Sequence, residues 1–314
     1  MHMASRVLGI VSVLGVLTLV SCTGTEAATP AAPEVMADAA PQADAQVAPV
    51  VASETVLPAA PIRTDFLFLS GELTQGGYVR GRAPTGTVSL TLDDQEIALG
   101  EEGLFFAAFD RDSPARVTLT AKSLEGEPVR EELSLTTRDW QIERVNVARR
   151  KLRNPEAYWK QREPEYNAIV AARAKDTGAQ GWKQDFIWPV QGRISGRFGR
   201  QRIYRGEPGS YHSGVDIAKP TGTPFVAPAD GVVILARTGF SLEGGLLMID
   251  HGNGLNSAFL HCHRIHVKEG DTVRQGQHIG DIGATGRATG PHLHWGLKWH
   301  GARIDPILLA GPMN

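Results

Sequence analysis

Between residues 63 and 138, apolar side chains recur at about every second position, in runs of four to seven residues separated by turn residues. A period of two sends alternate side chains to opposite faces of a strand, and runs this short are too brief for a stable helix. The candidate strands are Phe66–Leu69, Tyr78–Arg82, Thr87–Leu92, Gln95–Leu99, Leu104–Phe109, Arg116–Ala121 and Arg130–Thr136. Asp93-Asp94 reads as a hairpin turn, and Gly126 and Pro128 punctuate the end of the set. Seven short strands at this spacing predict a small antiparallel sandwich of immunoglobulin-like type over residues 63–138. No cluster of His, Cys or carboxylates is expected there, which favours a spacer or positioning role, with glycan or partner binding as the alternative.

At 314 residues the chain has room for about two domains. Hydrophobic residues at 42% and 35 glycines suit a packed core of strands and turns and exclude global disorder. A formal net charge of −2 argues against a nucleic-acid partner. Two cysteines exclude both a disulfide scaffold and a Cys-rich zinc module. Nothing in the residue pattern specifies an oligomeric state.

The N-terminus carries an address rather than a core. Arg6 precedes the mostly apolar run Val7 to Val20, 14 residues long. As a helix it would span about 21 Å, short of a ~30 Å hydrocarbon layer, so residues 1–21 read as a signal peptide. Leu19-Val20-Ser21-Cys22 resembles a bacterial lipobox, which implies a lipidated Cys22 holding the chain to a membrane. Thr23 leaves no charge directly after it, which resembles lipoproteins sent to the outer membrane and implies its periplasmic face. Residues 22–62 then read as a tether. From 23 onward they hold thirteen Ala, six Pro and five acidic residues, with no basic or aromatic side chain. Such a stretch cannot bury enough apolar surface to offset ordering, and it would span roughly 35 Å.

Residues 139–185 form a basic connector. From Arg138 to Asp185 there are eleven Lys/Arg against seven Asp/Glu. Asn154 is placed to cap a helix starting at Pro155, Pro164 is expected to interrupt it, and Glu165 to Lys175 is expected to form a second helix. Gly178 and Gly181 end the segment. The first reading is a solvated connector packed through Tyr158, Trp159 and Tyr166; the alternative is attraction to an anionic polymer.

Nine of the ten histidines lie at or after His212. With aspartate as companion, imidazoles make a first-row metal set, zinc being the most common. His212 and Asp216 are four apart, but Gly214, Val215 and Ile217 favour extended backbone, which brings the pair together only with a bend at Gly214. His292 and His294 share one strand face, with Leu293 and Trp295 on the other. His261 and His263 form a second His-x-His, followed by His266, and on spacing alone either pair could complete the site. Three protein ligands and one open position mark a catalytic zinc, so the residues themselves point to a mononuclear hydrolytic metal site. His251 falls in a hairpin-like Asp250-His251-Gly252-Asn253-Gly254, and His263, His266, His278 and His300 read as surface or strand residues. The run Gly283 to Gly290 lacks a phosphate-binding lysine and leads into a strand, so it is not a phosphate cradle.

Residues 188–308 resemble the lysostaphin-like (LytM-type) zinc metallopeptidases of bacterial cell walls. The motifs that carry the likeness run in order. They are Trp188-Pro189-Val190 through Phe198-Gly199, His212-Ser213-Gly214-Val215-Asp216-Ile217-Ala218, Gly222-Thr223-Pro224, Ala227-Pro228-Ala229-Asp230-Gly231, Gly270-Asp271-Thr272-Val273, Gly276-Gln277-His278-Ile279-Gly280 and Thr289-Gly290-Pro291-His292-Leu293-His294. The resemblance implies a zinc metallopeptidase domain at 186–314, an antiparallel β-sheet with one zinc on the floor of a groove. It implies His212, Asp216 and His294 as ligands, with His261 and His292 beside the metal to orient water and stabilise the transition state. The implied substrate is the peptide part of peptidoglycan, cut with a metal-activated water. The alternative is a non-catalytic relative that binds peptidoglycan or activates an amidase. Two positions depart from the family. Phe259 stands where Tyr is common, and Cys262 where Leu is common, the latter expected to be a buried structural thiol. Tyr211 is a further candidate for lining the groove.

Overall fold

The computed structural model describes residues 63–149 and 154–313. The expected leader at 1–21, lipidated Cys22 and tether at 22–62 lie outside the described residues, as do Arg150, Lys151 and Arg153 of the basic run.

The period-two runs become strands β1 (Leu67–Glu72), β2 (Tyr78–Arg82), β3 (Thr87–Leu92), β4 (Gln95–Ile97), β5 (Leu104–Ala108), β6 (Arg116–Ser123) and β7 (Val129–Ser134). They pair as two antiparallel sheets, one in the order β1-β2-β5 and the other β4-β3-β6-β7. Phe105, Phe106, Leu90 and Leu119 are buried in one apolar cluster drawn from both sheets. The turn between β3 and β4 sets Asp93 at φ 48°, a left-handed conformation that Asp tolerates better than bulkier residues.

The connector contributes β8 (Ile142–Val145) and one helix, α1 (Pro155–Arg173). Asn154 caps α1 by accepting the Ala157 backbone N–H at 3.0 Å. The expected break at Pro164 does not occur, and there is no second helix: α1 runs through Pro164. Pro164 forfeits one backbone hydrogen bond, but the buried side of α1 spans both halves of the helix through Arg162, Glu165, Ile169 and Ala172. Arg162 bonds Glu165 at 2.9 Å and grips both oxygens of Glu243 at 2.7 Å, while Glu165 accepts from Ser241. These tertiary contacts outweigh the local penalty. They also correct the expected packing, because Trp159 and Tyr166 are 55% and 54% exposed.

Beyond the connector lie β9 (Arg193–Gly196), β10 (Gln201–Tyr204), β11 (Glu207–Pro208), β12 (Val215–Ala218), β13 (Pro224–Val226), β14 (Gly231–Phe240), β15 (Gly244–Gly252) and β16 (Leu255–Leu260). They are followed by β17 (Arg264–Ile265), β18 (Thr272–Val273), β19 (His278–Asp281), β20 (His292–Trp299), β21 (Ala302–Ile304) and the short helix α2 (Pro306–Ala310). The main sheet has eight antiparallel strands in the order β18-β14-β15-β16-β20-β12-β9, with β21 paired to β20. A small sheet of β13-β19-β17 accompanies it. Another joins β11 and β10 to β8, with β8 parallel to β10. The hairpin between β15 and β16 turns at Asn253-Gly254 with φ of 51° and 75°, the pairing that a tight type I′ turn favours.

Along β20 the period of two separates chemistry from core. Leu293, Trp295, Leu297 and Trp299 are buried in the apolar cluster, which continues into the β1–β7 sheets. Polar contacts join the same regions. Arg111 donates to the Gly199 carbonyl at 3.1 Å and lies over the rings of Trp140 and Tyr211. Arg138 pairs with the buried Asp305 at 2.9 Å.

Candidate metal centre and groove

The centre of the main sheet brings three predicted side chains to one point. Asp216 on β12 lies directly opposite His294 on β20 in the strand register. His212 reaches them from the loop before β12, across a bend at Gly214. Asp216 Oδ1 is 2.8 Å from His294 Nδ1 and 2.9 Å from His212 Nε2, and the two ring nitrogens are 3.1 Å apart. Backbone must crowd in to allow this. A Cβ on Gly214 would run into the Trp295 carbonyl and the His294 ring, and one on Gly196 into the Asp216 carboxylate.

The donor set fits a metal ion. Two imidazole nitrogens and one carboxylate oxygen converge, and tetrahedral bonds of ~2.0–2.1 Å would place such ligands about 3.3 Å apart, close to the spacing found. The other nitrogen of His212 is committed, donating from Nδ1 to the Arg197 carbonyl at 3.0 Å, which leaves Nε2 for the centre. Burial opposes ionisation of Asp216, but hydrogen bonds from His212 and His294 and their charge outweigh it, holding the carboxyl far below the usual carboxylate range. For His212 desolvation is likewise outweighed, by the bond to and the charge of Asp216, and its pKa rises. For His294 desolvation wins, so its proton affinity falls.

Two further histidines flank this point. His292 Nε2 is 3.7 Å from Asp216 Oδ1, and its Nδ1 donates to the Gly290 carbonyl at 2.8 Å. His261 stacks against His292 with ring centroids 4.7 Å apart and donates from Nδ1 to the Thr285 carbonyl at 2.8 Å. In the neutral tautomer that these bonds select, Nε2 of each ring is the acceptor nitrogen. Desolvation lowers the pKa of His261. His261 sits at φ 66°, rare for a side chain of this size, and its N–H donates to the Glu243 carbonyl at 2.8 Å. The Arg162 clamp on Glu243 thus lies one residue contact away from His261, a support that the sequence did not reveal.

The other histidines stay apart from the centre. His263 is exposed. His251 is fully buried, donating from Nδ1 to the Asp230 carbonyl and accepting from Ser257, both at 2.7 Å. His266 and His278 converge instead on Asp281, each at 2.9 Å, a grouping that sequence reading did not anticipate. Cys262 is free and buried, and burial pushes its thiol up to about 12. Phe259 is wholly buried against Phe225.

Two cavities meet at the centre. One of about 790 Å³ is lined by Tyr211, His212, Asp216 and Arg287, so Tyr211 does face the groove. The other, of about 250 Å³, runs between α1 and β20 and includes His294. Tyr211 is held in place by Asp110 and Arg303, whose bonds to its hydroxyl are 3.3 and 3.1 Å.

A mainly β architecture with a half-buried His-His-Asp cluster in an open groove fits the class of metal-dependent hydrolases. Residues 210–306 match the sequence model of peptidase family M23. Among curated relatives, peptidoglycan DD-endopeptidase ShyA of Vibrio cholerae is 40% identical over 125 residues, which are 38% of this chain and 28% of that protein. DD-carboxypeptidase/endopeptidase Mpg of Neisseria meningitidis is 40% identical over 129 residues, 39% of this chain and 28% of that protein. The chain thus spans under a third of the length of these relatives. A crystal structure of a candidate M23 peptidase from Pseudomonas aeruginosa superposes with a TM-score of 0.59 at 27% identity, covering 77% of this chain and 96% of that one.

Proposed function

We propose that the protein is a zinc endopeptidase of the bacterial cell envelope that hydrolyses the peptide crosslinks of peptidoglycan. The observation that carries this reading is the convergence of His212, Asp216 and His294, flanked by His261 and His292, inside the stretch that matches the M23 model. The names of the relatives support a DD-endopeptidase, and hence a bond between D-Ala and a diamino acid.

His212, Asp216 and His294 would hold a zinc ion, and its chemistry there would be Lewis acidity toward a peptide carbonyl and a lowering of water's pKa to about 7. Around it the chain's own groups do the rest. Asp216 stays ionised and balances positive charge at the centre. The carbonyls of Arg197, Thr285 and Gly290 fix the rings of His212, His261 and His292. His261, whose proton affinity desolvation lowers, would accept the attacking water's proton at Nε2 and return it to the leaving amine, while Nε2 of His292 would accept a hydrogen bond from that water and orient it.

We read residues 63–138 as an immunoglobulin-like positioning module: its three- and four-stranded sheets follow that layout except that the fourth strand pairs with the third. Residues 139–185 are the connector and 186–314 the catalytic domain. The leader, lipidated Cys22 and tether would hold the enzyme at the outer membrane, within reach of the wall.

The test is incubation of the purified protein with peptidoglycan sacculi. Muropeptides with new ends, abolished by chelation and by His294→Ala, are expected. A metal-free protein that releases nothing yet stimulates an amidase would overturn the reading.

A further inference from the structure

The cavity between α1 and β20 carries an unbalanced charge. Four cationic side chains line it, Arg162, Arg173, Lys298 and Arg303, against the single carboxylate of Glu243. That carboxylate is taken: both of its oxygens are held by Arg162 at 2.7 Å. The other nearby carboxylate, Asp110, is also engaged, accepting from the Arg303 backbone N–H at 2.9 Å and from Tyr211. Among the described residues, neither Arg173 nor Lys298 makes an ion pair or a side-chain hydrogen bond.

These cations act on one another. Desolvation lowers the proton affinity of Arg173, and the charge of Arg303 adds to it. Desolvation, then Arg173 and Arg303, do the same to Lys298. Arg173 and Arg303 are exposed and Lys298 half-buried, and the charges of Glu243 on Arg173 and of Asp110 on Lys298 offset their mutual repulsion only in part, so the cavity wall stays positive. Convergent, perturbed and unpaired cations in a cleft mark a binding position for an anion. The placement narrows the anion. Lys298 is four residues along β20 from His294, and the same cavity includes His294 itself. A peptide lying across the centre would pass its next residues over these three cations.

We propose that Arg173, Lys298 and Arg303 form a subsite for a free carboxylate on the peptide substrate, next to the bond to be cut. The proposal rests on the endopeptidase reading for the identity of the peptide, and on the cavity for its charge. An anionic stem peptide would then be both drawn to the groove and set in register. Amidation of that carboxylate would remove the charge that the subsite reads while leaving the backbone intact.

Two measurements on the full chain test this. The first is equilibrium binding of a non-cleavable crosslinked peptide, as the free acid and as the amide of the carboxylate beside the scissile position. The second is kcat/KM for the cleavable pair. The native protein is expected to favour the free acid by about tenfold or more in both. Arg173→Gln and Lys298→Gln are each expected to bring that ratio toward one, mainly through KM. Arg173 lies near the exposed end of α1, so its variant tests the idea even if Lys298→Gln folds poorly. Equal binding of the two peptides by the native protein, or an unchanged ratio in folded variants, overturns the subsite. Preference in binding without any cleavage overturns the endopeptidase reading and sustains the subsite.

Discussion

Asp216 and His294 face each other across neighbouring antiparallel strands, and their side chains meet at 2.8 Å. The contact is made by the ladder itself, so the pair is set by the same backbone bonds that hold β12 to β20. Metal binding should therefore depend on side-chain identity more than on any local rearrangement. Asp216→Ala and His294→Ala are expected to lose the bound metal and to reduce release of muropeptides by at least about 10³-fold. Elemental analysis together with the sacculus assay checks both. Retained stoichiometric metal in either variant would remove that residue from the ligand set.

His261 and His292 should separate chemistry from metal binding. Their rings are oriented by backbone carbonyls, and neither lies among the three converging donor atoms. His261→Ala and His292→Ala are each expected to keep the metal and lower turnover by about 10²–10⁴-fold. Comparison of metal content with kcat in the same preparations decides the matter.

Arg162 holds α1 against the turn between β14 and β15 through Glu243, whose carbonyl accepts from the His261 N–H. Its side chain and those of Glu165 and Glu243 are only 10–14% exposed. Removing the cation leaves two carboxylates facing each other in poor solvent contact. Arg162→Ala is expected to lower the unfolding free energy by about 3 kcal/mol in urea titrations, whereas Trp159→Ala, at an exposed position of the same helix, should change it by under about 1 kcal/mol.

His251 gives the fold an acid limit. Burial lowers its pKa from 6.5 to about 4. Above pH 6.5 the ring is neutral in both folded and unfolded chains, so it adds no pH dependence there. As pH falls below that value the unfolded chain takes up a proton that the folded one resists until about pH 4. The unfolding free energy should then drop by roughly 3 kcal/mol over this window. His251→Gln should flatten that part of a stability-versus-pH curve measured by denaturant titration. An unchanged slope would place the acid sensitivity elsewhere.

Much of this was readable from local pattern. Strands β2 and β3 begin and end where the period-two runs do, and the alternation His292-Leu293-His294-Trp295 splits between site and core as a strand requires. The bend at Gly214 followed from the need to bring His212 to Asp216. What escaped the sequence was set by partners distant in the chain. Pro164 stays helical because Glu243, some eighty residues later, grips Arg162 on the far side of it. His266 meets His278 at Asp281 only because β17 pairs with β19. The unpaired cations of Arg173 and Lys298 become neighbours only once α1 lies over the sheet. No spacing rule carries such information, since each depends on which surfaces finally touch.

The parallel pairing of β8 with β10 has a practical consequence. Trimming the polypeptide to residues 186–314 would strip β8 away and leave one margin of β10 with bare amide and carbonyl groups. Such a fragment would invite a second molecule to dock along that margin, so its poor solubility would report a missing neighbour strand and not a defect in the catalytic sheet.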